Sequence, residues 1–392
     1  MWNHLRAVLA CLALAGCGVL SNTSIGPAEI ANARAASGND VAADAEALVR
    51  PLVTEGRTPG VVVGVLAPDG STRFFGYGVT DHASGTTPDA DTLFAVGSLS
   101  KGFVAAATAS LVNEGRLGWA DTLATRLRDA GGFSPDARRV TLRQLASHTA
   151  GMPRQPVDPF TMLLFARYLV TGENFYGHLN RFYAYDYLRN FEADRPGEQH
   201  YSNIGYGILA EVLAQATGLS AEALVQQRVI QPLGLRCTGY VPADLPCQAH
   251  RAMGHAGDQP ALIRRGNPAP DWQFTNLMRP SAGLHSTARD LLALAAAHLR
   301  PGASPLHAAL AENARPHAEG TGEAVANAWF VEQVAGVPVT FQVGFVAGYS
   351  GYIGLDTTHG SAVVILQNSF NGDLRPGHLL LLRMAQRAGP PA

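Results

Sequence analysis

The stretch Phe94-Ala95-Val96-Gly97-Ser98-Leu99-Ser100-Lys101 sets the organisation of the whole chain. It holds a Ser-x-x-Lys where a helix opens, and the pattern carries that helix to about Glu114. Residues three apart share one helix face, so Lys101 can reach the Ser98 hydroxyl. A serine hydroxyl is a poor nucleophile without an adjacent base. Lysine can be that base when burial or nearby positive charge lowers its pKa. The helix N-terminus adds positive potential and free backbone N–H groups. A capping serine followed by a solvated lysine fits the same local pattern.

Composition sharpens the first reading. Lys101 is the only lysine in 392 residues, against 28 arginines. Arginine stays protonated and cannot accept a proton. The chain thus uses arginine for its general surface cations and places its lysine three residues after Ser98.

At 41.3 kDa the chain can bury a large core in one or two domains. Its net charge is −2, and 15% of residues are charged. No basic run could track a phosphate backbone, which argues against a nucleic-acid partner. Residues 1–16 read as a signal peptide, with Arg6 followed by a short apolar run from Ala7 to Gly16. That run is too short to span a bilayer, and no other apolar run is long enough. Leu14-Ala15-Gly16-Cys17 resembles a bacterial lipobox. The resemblance implies cleavage before Cys17, its lipidation, and a lipoprotein on the periplasmic face of a bacterial membrane. A plain secretory signal is the alternative, and both mean export. Cys11 leaves with the leader, so Cys237 and Cys247 remain. They can form a disulfide or stay as separate buried thiols. No Cys/His spacing suggests a metal site.

Residues 17–40, small and polar, read as a flexible tether. The domain then runs over 41–390. Gly60–Ala67 and Thr72–Val79 form a hairpin around Pro68-Asp69-Gly70-Ser71. Residues 120–290 read as mostly helical, broken by Gly/Pro loops, and Phe175–Phe191 is dense in aromatics that suit a core, with a pocket wall as the alternative. From Trp329 the pattern switches to period two through four strands, and Leu374–Ala388 closes the chain as a helix. The fold class expected is α+β. An antiparallel sheet is built from N- and C-terminal segments (about 41–97 and 287–390) and flanked by helices. A mostly helical part, about 98–286, is inserted.

A serine nucleophile also needs a proton shuttle and an oxyanion hole. Tyr201-Ser202-Asn203 sits in a loop before a helix. A tyrosine beside a lysine can take the Ser98 proton and return it to a leaving group. Asn203 can hold Lys101 or a substrate amide, or can simply cap the helix.

Ser98-x-x-Lys101, Tyr201-Ser202-Asn203 and the strand around Gly344 together resemble the three signatures of one family. It is the class C β-lactamase and D-alanyl-D-alanine carboxypeptidase family of serine hydrolases, which includes esterases. His148-Thr-Ala-Gly-Met-Pro153, Pro196-Gly197, Gly218-Leu219, Pro232 to Gly239 and Ala282 to Asp290 are similar to it as well, over roughly residues 45–385. The resemblance implies acyl transfer through an ester on Ser98, with Lys101 and Tyr201 sharing acid and base duties. It also implies an oxyanion hole from the N–H groups of Ser98 and Phe345, beside Gly344, and a substrate-amide contact from Gln155. No metal and no organic cofactor are implied.

The third signature departs from the family pattern of Lys-Thr-Gly or His-x-Gly. Here it reads Gln342-Val343-Gly344, with neither the cation nor the hydroxyl. A charge-assisted hydrogen bond is about twice as strong as a neutral one. Carboxylate recognition is therefore expected to be weak unless Arg375 or Arg154 supplies a charge. An esterase or amidase acting on a small or cell-wall-derived acyl compound is the leading expectation. A β-lactamase or D-alanyl-D-alanine carboxypeptidase, and a non-catalytic ligand-binding lipoprotein, are the alternatives.

Overall fold

The computed structural model describes residues 22–36, 40–128, 130–319 and 324–389. The leader at 1–16 and Cys17 lie outside the described residues. Strands β1 (Gly60–Leu66) and β2 (Thr72–Gly78) form the expected hairpin, paired from Gly60↔Gly78 to Leu66↔Thr72. A two-residue β3 (Phe94–Ala95) pairs with β4 (His285–Ser286) apart from the main sheet. The C-terminal strands are β5 (Ala318–Glu319), β6 (Ala324–Val325), β7 (Phe330–Val334), β8 (Val337–Val346), β9 (Tyr349–Asp356) and β10 (Ser361–Gln367). Among the described residues they join the hairpin in one eight-stranded sheet, ordered β2-β1-β10-β9-β8-β7-β6-β5. The antiparallel β1–β10 pairing, Val61↔Gln367 to Leu66↔Ala362, closes the N-terminal part onto the C-terminal part.

Both faces of the central strands are covered, which explains their unbroken apolar runs. Helices α1 (Pro27–Ala35), α2 (Val41–Leu48), α3 (Ser100–Asn113), α4 (Asn203–Thr217), α5 (Ala288–His298) and α6 (Arg375–Ala388) organise the packing. Val62, Leu66, Val364 and Leu366 share one core with Leu291 and Leu294 of α5 and with the helical region. Val61, Val63, Val65, Val363 and Ile365 point the other way, onto Leu380, Leu381 and Leu382 of α6. Helix α3 runs through the first core and is buried from Ser100 to Ala109. Its Ala105-Ala106-Ala107 lets neighbouring elements approach closely.

Two expectations change. Residues 17–40 are not a flexible tether where they are described. Helix α1 buries Ala33 in the α6-side core, Arg375 binds Glu29 at 2.8 Å, and the Asn22 N–H donates to the Gly372 carbonyl at 2.7 Å. Alanine is the strongest helix former, so small composition alone does not mark a linker. Residues 120–290 are helical only in part. Beyond Ile230, through Met278, the described chain has no α-helix, only loops and turns with two short 3₁₀ segments and isolated β-bridges. Cys237 and Cys247 are bonded there, with Cα atoms 5.7 Å apart.

Candidate active site

Ser98 lies in a 3₁₀ turn, Gly97–Leu99, that leads directly into α3. The turn is held from several sides. Gly97 has φ +52°, a left-handed value suited to glycine. The Val96 N–H donates to the Leu284 carbonyl at 3.0 Å, and the Ser100 hydroxyl donates to the Gly97 carbonyl at 2.6 Å. The Ala282–Asp290 stretch singled out in the sequence is thus the clamp behind the nucleophile turn.

Two side chains meet the Ser98 Oγ. The Tyr201 hydroxyl donates to it at 2.7 Å, and Lys101 Nζ donates at 3.0 Å. Lys101 is 2% exposed and also donates to the Ser281 carbonyl at 3.1 Å. Burial pushes its pKa down; Tyr201 opposes that shift and Arg154 adds to it. A buried lysine with a lowered pKa, beside a serine hydroxyl, is suited to accept its proton.

Tyr201 is positioned by a neighbouring loop. His148, at φ +62°, receives the Ser202 N–H on Nδ1 at 3.1 Å, and its carbonyl receives the His200 N–H at 2.8 Å. Its ring centroid lies 4.4 Å from that of Tyr201. Burial drives the His148 pKa well down, and Lys101 and Arg154 push the same way. His148 is therefore neutral, with its proton on Nε2. The motif containing His148 was legible in the sequence, but its grip on Tyr201 was not. Ser202, rather than Asn203, caps α4 by receiving the Gly205 N–H at 3.0 Å. This frees the Asn203 amide to donate to the Tyr176 hydroxyl at 3.1 Å, which in turn donates to Gln155 at 3.0 Å. Tyr176, read as core, is the link between these two polar residues on the cavity wall.

Strand β7 pairs with β8 only up to Phe341, so among the described residues one edge of β8 beyond that point has no strand partner. The Ser98 turn sits against this part of β8. A Cβ on Gly97 would lie 2.9 Å from the Phe345 nitrogen, which places that N–H beside the turn. A Cβ on Gly344 would stand 2.2 Å from the Val96 carbonyl oxygen and 3.1 Å from the Leu99 nitrogen. Neither backbone group can swing aside. Gly344→Ala is expected to destabilise the protein by about 2 kcal/mol and to cut activity far more than that loss explains. Thermal denaturation and kcat/KM check this.

Gln342 corrects the expected substrate contact. Strand alternation turns Phe341, Val343 and Phe345 into the cavity and Gln342 and Gly344 toward α3. The Gln342 amide is buried against Gly102, and its Nε2 has no hydrogen-bond partner among the described residues. Arg375 is also taken, by Asp373 at 2.7 Å and Glu29 at 2.8 Å.

The cavity over Ser98 encloses about 350 Å³. Phe165, Tyr168, Phe175, Trp272 and Phe274 form one wall; Phe330, Phe341, Phe345 and Phe370 form the other. Thr23 and Ser24 complete the lining, a contribution hidden in a segment read as tether.

The fold that carries this site has counterparts among known proteins. Residues 45–385 match the family model described as Beta-lactamase. The chain belongs to this family of serine hydrolases. It is 30% identical over 372 residues to "Penicillin-binding protein 4" of Amycolatopsis lactamdurans, covering 87% of this chain and 91% of that one. It is 28% identical over 344 residues to "Esterase EstB" of Burkholderia gladioli, covering 74% and 81%. A class C β-lactamase from Rhodobacter sphaeroides superposes with a TM-score of 0.70 at 22% identity, over 89% of this chain and 97% of that one, and shows the shared fold.

Proposed function

We propose that this β-lactamase-family hydrolase cleaves an ester or amide with an apolar acyl group, by way of an acyl-enzyme on Ser98. The observation that carries this reading is Ser98 Oγ held at 2.7 Å by Tyr201 and 3.0 Å by Lys101 at the floor of an aromatic cavity. The Lys101–Tyr201 pair removes the Ser98 proton as Oγ attacks the acyl carbon. The oxyanion forms between the Ser98 and Phe345 N–H groups. Tyr201 then protonates the leaving group, and water releases the acid. The buried Gln342 and the apolar Val343 favour this reading over carboxylate-directed β-lactam or D-alanyl-D-alanine chemistry.

The reading includes export and an anchor at Cys17, supported by the leader pattern. One experiment addresses both parts. Cells expressing the full chain are fractionated, and each fraction is assayed with phenylacetyl and acetyl esters of one phenol and with benzylpenicillin. Esterase activity is expected in the membrane fraction, higher for phenylacetyl, and in the soluble fraction after Cys17→Ser. Benzylpenicillin turnover exceeding that of both esters would overturn the ester reading, and soluble activity from the unaltered chain would overturn the anchor.

A further inference from the structure

We infer that the outer face of the helix Pro159–Thr171 docks on a lipid bilayer, so that the cavity beside it takes an ester dissolved in that bilayer. The inference rests on the hydrolase and anchor readings above and narrows the substrate class.

The helix Pro159–Thr171 is apolar on both sides. It turns Phe165 and Tyr168 into the cavity over Ser98. On the opposite side Phe160, Leu163 and Val170 are 54%, 65% and 61% exposed. Their spacing puts them in one stripe along the helix. Of the nine large apolar side chains exposed among the described residues, four lie between 157 and 170. A fifth, Leu262, joins them, because its N–H donates to the Leu169 carbonyl at 3.1 Å. Single exposed apolar side chains are ordinary, whereas a cluster of them marks a contact face. The one charge on the helix, Arg167, pairs with Glu173 just past the helix end. Gln259, three residues before Leu262, lines the cavity, so the patch adjoins the cavity wall.

The chain ahead of the cavity indicates what covers this face. Cys17, the residue read as lipidated, precedes Thr23 by six residues, which reach about 20 Å when extended. Thr23 is itself part of the cavity lining, and its hydroxyl donates to Glu332 at 3.2 Å. Asn22 is pinned by its N–H to the Gly372 carbonyl and by its carbonyl to the Leu374 N–H. An anchor at Cys17 therefore holds the cavity, with the helix on its other wall, beside the membrane. A 13-residue helix is too short to cross a bilayer and lies along its surface instead. The cavity of about 350 Å³ encloses one arm of a lipid-like ester, and the other arm extends past the mouth over the apolar face. On attack the acyl group stays on Ser98, and the alcohol takes its proton from Tyr201 and returns to the bilayer. The face alone binds reversibly, so protein without the anchor leaves washed membranes yet partitions onto concentrated lipid.

The test uses the Cys17→Ser protein, which carries no lipid, and vesicles of phosphatidylethanolamine and phosphatidylglycerol. Co-sedimentation is expected to rise with lipid concentration, and Leu163→Gln combined with Val170→Gln should weaken it about ten- to a hundredfold. Both side chains lie outside the cavity lining, and glutamine is a good helix former, so the fold is kept. Two phenylacetyl esters complete the test. At a lipid level that binds half of the protein, hydrolysis of hexadecyl phenylacetate held in the vesicles should fall with binding in the double variant. Hydrolysis of water-soluble methyl phenylacetate should be unchanged. No binding by the Cys17→Ser protein, or equal binding by the double variant, would overturn the docking face and leave the hydrolase and anchor readings standing. A dimer in lipid-free solution that the double variant splits would give the face to a second copy and overturn the inference too. Hydrolysis of both esters unchanged in Ser98→Ala would overturn the hydrolase reading, and with it the substrate class, while the sedimentation result still decides the docking face.

Discussion

Replacing Ser98 by alanine is expected to lower kcat/KM for any substrate of this protein by about 10⁴-fold or more, with the fold intact. The size follows from the proposed chemistry. Without Oγ there is no acyl-enzyme, and only binding and the oxyanion donors remain to speed attack by water. The fold should survive because, among the described residues, the Ser98 side chain has only Tyr201 and Lys101 as hydrogen-bond partners. The turn around it is held instead by Val96, Gly97 and Ser100 through backbone and hydroxyl bonds. Steady-state kinetics together with a thermal melt separate the two effects. A large fall in rate with an unchanged melting temperature is the expected result. Retained hydrolysis would place the chemistry elsewhere.

The second large effect concerns Lys101. Lys101→Met should lower kcat by about 10²- to 10⁴-fold, the range for losing a general base. Lys101→Arg should be as poor at every accessible pH, because arginine does not deprotonate. In the unaltered protein the amine is competent only when neutral. Activity should therefore fall as pH drops through the lowered Lys101 pKa, and this acid limb should be absent from the residual rate of Lys101→Met. Stability should move the same way with pH. The folded-state pKa lies below that of the unfolded chain, so the unfolded state binds more protons in the interval between them. Stability rises with pH across that interval, and below it the buried ammonium is a standing cost. Lys101→Met removes that cost along with two hydrogen bonds, and its melting temperature at pH 7 should be no lower than that of the unaltered protein. A Lys101→Met variant that unfolds early would mean that the amine serves structure more than chemistry.

The parts of this account that were legible in the sequence share a feature: they rest on short-range spacing. Ser98 and Lys101 are three residues apart, and the valine-rich β1 and the period-two strands near the C-terminus show themselves within single segments. Strands gathered at both ends of the chain were enough to give an α+β sheet closed by its first and last parts.

What stayed hidden depends on long-range register. The face of β8 that carries Gln342 is set by how Gly344 meets the Val96–Leu99 turn, a contact across about 245 residues of chain. Parity with Gly344 was the available signal, since residues two apart on a strand share a face. Thr23 becomes part of the cavity only because Asn22 bonds to the Gly372–Leu374 backbone. Tyr176 looked like one more aromatic in a run until α4 brought Asn203 beside it. The loops beyond Ile230 carry no period of their own, and they were read as helical by extension from the segments before them.

The most direct test of the central claim is intact-mass spectrometry of the protein quenched within milliseconds of mixing with a phenylacetyl ester, followed by peptide mapping. The account predicts a mass increase equal to one phenylacetyl group, located on the peptide containing Ser98 and absent from Ser98→Ala. Turnover of the ester with the adduct on another residue, or an adduct that persists in Ser98→Ala, would contradict it.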